Sequence, residues 1–212
     1  GEARAILREF QPDVVVGTGG YASFPMVKAA AKAGVPTAVH ESNAKVGKAI
    51  TFLQSHVDRI YINFDHIQTK FRRGNRQKVM HVGNPLREGF GGLSHENARK
   101  KLGLREGEKM VLSFGGSLGA ERINAAMLDL MAEYAAAHPE VRIIHSCGSV
   151  KYAPVHEEFC KRGLDALPNV TLTPYIYDMP TQMAAADVVI SRAGAMSLSE
   201  LAKIQGGQKD DG

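Results

Sequence analysis

The sequence is poor in cysteine and has no long apolar run. Its two cysteines, Cys147 and Cys160, are too few for a disulfide framework and fit a reducing cytoplasm. Neither belongs to a CxxC or Cys/His cluster, so both are interpreted as ordinary residues. No apolar run reaches the ~18 residues that a membrane-spanning helix needs. These absences argue against a disulfide-stabilised secreted fold and against a transmembrane protein.

Sequence motifs for common cofactors and metals are also missing. No G-x-G-x-x-G opens a βαβ unit with an acidic residue about 20 positions later, so a nicotinamide site is poorly supported. No G-x-x-x-x-G-K-[ST] loop occurs either. The eight histidines are scattered without metal-ligand spacing, and no D-x-D pair is present to bridge a metal to a diphosphate. We therefore expect no cofactor and no protein-bound metal.

The charge balance is mildly basic, with 26 Lys and Arg against 22 Asp and Glu and a net charge of +4. Such a surplus suits a polyanionic ligand or an anionic membrane surface. The one dense basic cluster, residues 70–78, lies in a turn-rich connection without aromatic repeats and is interpreted as a solvated loop. Nucleic acid is therefore not an expected partner.

Short β-branched apolar runs alternate with helical patterns along most of the chain. Strands without polar alternation indicate a parallel sheet that helices cover on both faces, and repeated β–helix–β units are typical of a doubly wound, Rossmann-like α/β fold. The predicted strands are Asp13–Gly17, Thr37–Glu41, Arg59–Ile62, Val79–Val82, Met110–Phe114, Arg142–Ser146, Val170–Thr173 and Val188–Ser191. The predicted helices are Phe24–Ala33, Lys45–Ser55, His95–Leu102, Ala120–His138, Lys151–Arg162, Met179–Ala186 and Ser197–Ile204.

Residues 81–87 carry Gly, Asn and Pro at a strand end, and a Gly-rich polar stretch follows to about Ser94, so we place a domain junction near residues 84–94. We expect a first domain over residues 1–86, a second over residues 87–204, and a polar, Gly-rich disordered tail over residues 205–212. The first ten residues are typical of the middle of a helix leading into a strand. A domain beginning there has only three or four strands, so we expect the chain to be a piece of a longer protein.

The most informative motif is Val111–Ala120, in which an apolar strand ends in the glycine turn Gly115–Gly119 and a helix follows. Glycine allows a ligand to approach the backbone closely, and the helix N-terminus offers N–H groups and a favourable dipole. The motif predicts a site for a phosphorylated ligand.

Two further motifs follow strand ends in the first half of the chain. Gly17–Pro25 is a second strand–glycine–helix turn and could present backbone amides and the Tyr21 hydroxyl to a ligand. His40–Asn43 places polar groups directly after a strand, and Asn43 can both donate to and accept from a sugar hydroxyl. Alternatively, Ser42 or Asn43 caps the following helix. The spacing leaves both interpretations open.

Ser191–Glu200 combines a strand end, small residues and a helix start. The Glu200 carboxylate could accept hydrogen bonds from both hydroxyls of a ribose, and the neighbouring hydroxyls suit a diphosphate. Alternatively, Ser197 and Glu200 form a capping box, whose serine contributes about 0.5–2 kcal/mol. The motif by itself does not decide between them.

Taken in order, six segments resemble the MurG family of bacterial glycosyltransferases, which belongs to glycosyltransferase family 28. The segments run collinearly over nearly the whole chain: Pro12–Tyr21, His40–Asn43, Val82–Arg87, Phe114–Ala120, Tyr175–Met179 and Ser191–Glu200. The resemblance implies a GT-B architecture, in which two Rossmann-like domains, both incomplete here, face each other across a cleft. It also implies UDP-N-acetylglucosamine bound by the C-terminal domain and a membrane-bound acceptor on the N-terminal side.

The resemblance also implies roles for individual residues. Asn43 falls where the family contacts the donor from the N-terminal side, Arg87 at the interdomain junction, and Ser117 in the phosphate loop. The backbone of Ile176 is expected to meet the uracil, and Glu200 the ribose hydroxyls. The full set of expected substrate-binding residues is Asn43, Arg87, Ser117, Ile176, Ala195, Met196, Ser197, Leu198, Ser199 and Glu200, with Tyr21, Glu41, Gly116 and Gly119 as secondary candidates.

The family reaction is an inverting transfer of N-acetylglucosamine to the 4-hydroxyl of the muramic acid of lipid I, which forms lipid II for peptidoglycan at the cytoplasmic face of the cell membrane. The family's upstream glycine-rich motif with its histidine, and a downstream Gln-bearing loop, have no counterpart here. We therefore assign no catalytic residue and expect the chain alone to be inactive. The alternatives are a related GT-B lipid glycosyltransferase, a UDP-N-acetylglucosamine 2-epimerase, or an inactive nucleotide-binding fragment.

Overall fold

The computed structural model describes residues 1–207. The chain divides into two compact units, Gly1–Pro85 and a second that begins at Leu86. In each unit a parallel four-stranded sheet is combined with helices, as the alternation of apolar runs and helical patterns predicts.

The first unit contains a sheet whose strands follow each other in chain order, β1-β2-β3-β4, with every neighbouring pair parallel. Two 3-10 segments, Asp65–Lys70 and Arg73–Lys78, connect the last two strands. The elements are α1 Glu2–Phe10, β1 Val15–Gly17, α2 Gly20–Lys32, β2 Thr37–Glu41, α3 Lys48–Leu53, β3 Arg59–Ile62 and β4 Val79–His81.

The second unit has the strand order β7-β6-β5-β8, again with every neighbouring pair parallel. A π-helical turn, Met131–Ala135, continues the fifth helix of the chain. The elements are α4 His95–Lys101, β5 Lys109–Phe114, α5 Glu121–Leu130, β6 Val141–Ser146, α6 Tyr152–Lys161, β7 Val170–Thr173, α7 Met179–Ala185, β8 Val188–Ser191 and α8 Ala195–Gly207.

Alternate residues of β5 pack on opposite faces of the second sheet. Met110, Leu112 and Phe114 belong to one buried cluster with residues of α7 and α8, whereas Val111 packs against a second cluster built on α5 and α6. Burial on both faces is why β5 is almost continuously apolar. In the first unit all five residues of β2 are likewise buried.

The strand order of the second unit reverses at β5. The chain proceeds from β5 to β6 and β7 on one side and then returns to place β8 on the other side of β5. In open parallel sheets such a reversal separates the loops that leave the two adjacent strands and opens a crevice at their carboxyl ends. The glycine turn after β5 and the small-residue loop after β8 therefore begin at the same crevice.

The predicted strands and helices are all present, and several helix ends differ from the prediction. The helix α2 begins at Gly20 instead of Phe24, and Pro25 lies inside it. The helix α3 is shorter than predicted and starts at Lys48 after Gly47. The helix predicted over residues 120–138 is α-helical only to Leu130.

Two segments predicted to be irregular are partly ordered. The helix α8 continues to Gly207, so residues 205–207 of the predicted tail are helical, and residues 208–212 lie outside the described residues. In the basic segment 70–78, Phe71 and Asn75 are buried, and the Arg72 amide and the Asn75 side chain donate to the side-chain oxygen of Gln54 at the end of α3. The local pattern missed both because it does not register contacts with distant residues.

No helix among residues 1–207 is both long and apolar enough to cross a membrane.

We predict that His145 makes the protein less stable as the pH falls from neutral. The side chain is fully buried on β6, and burial lowers the pKa of its imidazole to about 4. The unfolded chain therefore binds one more proton than the folded chain between about pH 6.5 and pH 4, and the free energy of unfolding decreases across this range. Chemical unfolding of His145→Gln at pH 7 and pH 5 should show a smaller decrease than the unsubstituted chain, and exposed His156→Gln serves as the control. An equal decrease in both variants would contradict the prediction.

Candidate functional site

The candidate site lies at the carboxyl ends of β5 and β8, where the strand order of the second unit reverses. The glycine turn after β5 and the loop after β8 face each other across a cavity of about 310 Å³. This volume falls at the lower end of the range for small-molecule sites. The cavity is lined by Phe114, Gly115, Gly116, Arg192, Ala193, Gly194 and Ser197.

The glycine turn is built so tightly that side chains cannot replace two of its members. A Cβ on Gly115 would lie 2.6 Å from the amide nitrogen of Ala120, and a Cβ on Gly119 would lie 2.0 Å from the carbonyl oxygen of Cys147. Gly119 also has a φ of +78°, in the left-handed region. The turn is closed by a hydrogen bond of 2.9 Å from the Gly119 amide to the Gly116 carbonyl. This compact geometry leaves Gly116 and Ser117 exposed, and Gly116 lines the cavity.

A second cavity of about 150 Å³ adjoins the first and shares Phe114, Gly116 and Ser197 with it. It brings together six residues predicted from the sequence, which are Arg87, Gly116, Ser117, Ile176, Ser197 and Glu200. Ile176 is buried and packs into the core beneath the cavity, whereas Arg87 and Ser117 are exposed. A cation, a carboxylate, two hydroxyls and the backbone of the glycine turn therefore meet around one space.

The helix α8 begins two residues earlier than the sequence predicts. Its first intrahelical hydrogen bond runs from the Leu198 amide to the Gly194 carbonyl, which makes Gly194 the residue before the helix. Ser197 and Glu200 consequently lie inside the helix, three residues apart on the same face, and both line the smaller cavity. The capping-box interpretation is wrong, because a capping serine must precede the helix.

The carboxyl group of Glu200 is partly buried, and two features of its surroundings shift its pKa in opposite directions. Burial raises the pKa of Glu200, because it removes water from the charged form. The nearby positive charge of Arg87 lowers the same pKa, and burial is the larger effect. A hydrogen-bond donor or a cation brought into the cavity would therefore stabilise the carboxylate.

The remaining predicted residues of α8 differ in their environments. Met196 and Leu198 are 41% and 46% exposed, and Ala195 is half-buried. Ser199 donates from its hydroxyl to the Ala195 carbonyl at 2.9 Å. None of these residues is among those that line the two cavities, so their side chains are less well placed than those of Ser197 and Glu200.

The first unit has its own cavity, of about 260 Å³, at the carboxyl ends of β1 and β2. Tyr21, Glu41 and Asn43 line it together with the glycines that precede α2 and α3, and the Tyr21 side chain is 85% exposed. Glu41 is buried and accepts hydrogen bonds from the Asn43 amide and side chain, each at 3.0 Å, and from the Gly47 amide at 2.7 Å.

The contacts of Glu41 indicate that its carboxylate holds the loop between β2 and α3. Neither Ser42 nor Asn43 caps α3, because that helix starts after Gly47 without a side-chain cap. The capping interpretation of His40–Asn43 is therefore wrong, and Asn43 remains exposed at the cavity.

The sequence-based residue set omits several side chains at the second unit's site. Arg192 and Ala193 line the larger cavity, and Ser146, Tyr175 and Met179 line the smaller one. All except Ser146 belong to the motifs noted in the sequence, so their position after β7 and β8 was an available signal. Ser146 ends β6 and could be found only from the strand order. Among residues 1–207, no three His, Cys, Asp or Glu side chains are grouped as metal ligands would be.

The two parallel sheets and the glycine turn at a strand-order reversal define an α/β protein built from Rossmann-like units, as in GT-B enzymes. Residues 1–62 match the model of the glycosyltransferase family 28 N-terminal domain, and residues 110–206 match that of the glycosyltransferase family 28 C-terminal domain. The chain therefore belongs to glycosyltransferase family 28, which confirms the resemblance seen in its motifs.

A similar curated protein is the UDP-N-acetylglucosamine–N-acetylmuramyl-(pentapeptide) pyrophosphoryl-undecaprenol N-acetylglucosamine transferase of Halothermothrix orenii. It is 42% identical over 202 residues, which cover 94% of this chain and 54% of that protein. A protein of the same name from Acetivibrio thermocellus is 40% identical over 200 residues and is covered to 53%. The chain thus spans about half the length of the curated relatives it matches.

Among solved structures, MurG of Acinetobacter baumannii superposes with a TM-score of 0.63 at 24% identity, covering 95% of this chain and 53% of that one. At these values the likeness shows the fold, and it supports the GT-B class for this chain.

We predict that Glu200→Gln raises the melting temperature at pH 7. The pKa of Glu200 is higher in the folded chain than in the unfolded chain. The contribution of Glu200 to the free energy of unfolding is therefore fully present below the pKa of the unfolded chain, and it is lost as the pH rises through the pKa of the folded chain. The ionised carboxylate therefore destabilises the folded chain at neutral pH, and a neutral amide removes that cost. Thermal melts at pH 7 and pH 4 should show a gain that shrinks at the lower pH. Exposed Glu157→Gln is the control, and a lower melting temperature for Glu200→Gln at pH 7 would contradict the prediction.

We also predict that Gly119→Ala destabilises the second unit by about 1–3 kcal/mol or more, because its methyl group would overlap the Cys147 carbonyl. Gly103→Ala provides a matched control, since Gly103 also has a positive φ but has no atom within 4 Å of the added Cβ. Urea unfolding of both variants separates the clash from the backbone effect. Equal losses for the two variants would show that the close contact at Gly119 is unimportant.

Proposed function

We propose that the second unit binds the nucleotide diphosphate of UDP-N-acetylglucosamine, and that the chain is the part of a family 28 transferase that holds this donor. The observation that carries the proposal is the smaller cavity, which Arg87, Ser117, Ser197 and Glu200 line together with the glycine turn. A ribose needs hydrogen-bond acceptors and a diphosphate needs donors and positive charge, and this cavity supplies both kinds of group.

In the proposed complex the Glu200 carboxylate accepts hydrogen bonds from the two ribose hydroxyls. The backbone amides of the glycine turn and the hydroxyls of Ser117 and Ser197 donate to the diphosphate. The backbone of Ile176 meets the uracil at the buried end of the cavity. Ribose binding replaces the water that burial removes from Glu200, so the raised pKa of the free carboxyl group is expected to fall when the nucleotide binds.

The proposed reaction is an inverting transfer to the 4-hydroxyl of the muramic acid in lipid I. The acceptor hydroxyl gives its proton to a general base, a role for which no residue of this chain is assigned. Its oxygen forms a bond to the anomeric carbon while the bond from that carbon to the diphosphate breaks, and UDP leaves with the electron pair. Negative charge on the diphosphate increases in the transition state. The Arg87 guanidinium and the turn amides therefore stabilise the transition state more than the bound donor.

The acceptor and the location belong to the same proposal. The relatives' names include a pyrophosphoryl-undecaprenol group, and a long polyprenyl chain is lipid-soluble. We propose that this chain works at the cytoplasmic face of the membrane without spanning it. Tyr21 and Asn43, which line the cavity of the first unit, remain predicted substrate contacts.

Isothermal titration calorimetry tests the donor assignment. The chain should bind UDP-N-acetylglucosamine and UDP and should not bind NAD, and Glu200→Gln should weaken the binding of both uridine nucleotides. The loss is expected to be about tenfold, because a charge-assisted hydrogen bond contributes roughly 1.5–3 kcal/mol. Glu157→Gln, on the exposed face of α6, is the control. Binding of NAD without binding of UDP would refute the proposal.

Arg87→Ala should lower turnover by more than it weakens donor binding, since the guanidinium acts on charge that develops in the transition state. The measurement compares kcat with the donor Kd in the transferase that contains this sequence, using lipid I as acceptor. Arg162→Ala is a matched control, because Arg162 is paired with Asp129 and Glu158 away from the cavity. Unchanged kcat with weaker donor binding would contradict the assigned role, and epimerisation of the donor without transfer would favour an epimerase.

A further inference from the structure

We propose that Asn124 and His145 form a buried pair that positions the glycine turn for diphosphate binding. The inference rests on the proposed function, because it assigns the phosphate contacts to that turn. Asn124 and His145 do not line the cavities of the site, and nothing in the local sequence pattern connects them to a ligand. They act through the backbone and are therefore positioning residues.

Asn124 links the helix after the glycine turn to the end of β6. The residue lies in the first half of α5 and is 3% exposed. Its side-chain nitrogen donates to the Cys147 carbonyl at 3.0 Å, and its side-chain oxygen faces Nε2 of His145 at 3.1 Å. Because the amide nitrogen is engaged as the donor to a carbonyl, the amide oxygen is the acceptor, and Nε2 of His145 carries the proton.

His145 is suited to hold this arrangement at physiological pH. The ring is fully buried in the middle of the sheet, and burial keeps the pKa of its imidazole near 4. The imidazole therefore stays neutral, with one N–H to donate. Burial disfavours a charged ring in this position, and a side chain without an N–H would leave the buried Asn124 oxygen without its donor.

The carbonyl that Asn124 binds is the one that touches the glycine turn. The space beside Gly119 is so narrow that a Cβ there would lie 2.0 Å from the Cys147 oxygen, and a Cβ on Gly148 would lie 2.2 Å from the Gly119 nitrogen. The Ser149 amide also donates to the Ser117 carbonyl at 3.3 Å. A shift of the Cys147 carbonyl would therefore be transmitted directly to Gly119 and Ser117.

This arrangement explains how a loop of small residues can keep a defined shape. Gly115, Gly116 and Gly119 have no side chains that could anchor the turn, so its anchors must be backbone contacts. The Cys147 carbonyl and the Ser149 amide supply them, and Asn124, which is itself bonded to His145, holds that carbonyl in place from α5. Preorganised donors bind an anion more strongly than donors that must first be ordered, because the loss of conformational entropy has already occurred during folding and does not weaken binding.

The test separates phosphate binding from nucleoside binding. Kd values for UDP and uridine are measured on the full chain by calorimetry and NMR titration, and their ratio reports the contribution of the diphosphate. Asn124→Ala should reduce the preference for UDP over uridine by about tenfold, the loss expected when a buried polar group is left unpaired. A general loss of folded protein would weaken both ligands equally and leave the ratio unchanged.

Asn169 offers a matched control on the same sheet. It is a buried asparagine whose side-chain nitrogen donates to the carbonyls of Ala135, His138 and Val141, at the end of β6 opposite to the site. Asn169→Ala should lower stability and leave the UDP-to-uridine ratio unchanged. An unchanged ratio in Asn124→Ala, or an equal change in both variants, overturns the proposal.

Two substitutions at His145, one that keeps a hydrogen-bond donor and one that removes it, test the other member of the pair. His145→Gln keeps an N–H and should retain most of the ratio, whereas His145→Leu removes the donor and should lower it as Asn124→Ala does. Equal behaviour of the two His145 variants overturns the pairing. These variants also serve where Asn124→Ala does not give a cooperative thermal transition.

Hydrogen exchange without ligand distinguishes failure of this inference from failure of the proposed function. If the unsubstituted chain does not bind UDP, the donor assignment and the role in diphosphate binding both fail. The claim that Asn124 positions the turn is then tested by the hydrogen-exchange rates of the amides of residues 116–119. Faster exchange of these amides in Asn124→Ala but not in Asn169→Ala supports the positioning of the turn, and equal exchange overturns it.

Discussion

The backbone contact between Gly119 and the Cys147–Gly148 segment is the constraint on which the site of the second unit depends. It is possible only because two glycines meet where the loops after β5 and β6 leave the sheet. The contact fixes the path of the turn that starts at Gly115, and this path leaves Gly116 and Ser117 exposed at the cavity. A larger residue at either glycine would push apart two neighbouring loops that the parallel strands hold together.

The order of the strands places the glycine turn beside an open crevice. Because β8 lies next to β5 while the chain between them passes through β6 and β7, the loops after β5 and β8 diverge and leave an open crevice. The start of α8 and the glycine turn then face the same space from two sides. Arg87 adds positive charge there, and partial burial of Glu200 prepares a carboxylate that gains from new hydrogen-bond donors. Family 28 membership accords with this arrangement.

Much of the fold could be predicted from local pattern. Strands such as Arg59–Ile62 and Val188–Ser191 have the predicted bounds, because a short run of β-branched and aromatic residues between polar turns favours an extended strand. Helix starts were less predictable. Ser197 and Glu200 have the spacing of a capping box, yet α8 starts at Ala195. Packing of Leu201 and Ile204 into the core selects the phase of the helix, and a local motif does not contain that information.

The sequence by itself determined the class of the fold, the position of the glycine turn and most of the side chains around the candidate site, because each is recorded in short runs of neighbouring residues. Only the tertiary structure decided that Ser117, Ile176 and Glu200 border one cavity and that Glu41 serves the loop that presents Asn43. It also revealed the pairing of Asn124 with His145, 21 residues away. Such contacts depend on which strands become neighbours, and strand order follows from how whole helices pack on the sheet rather than from any single segment.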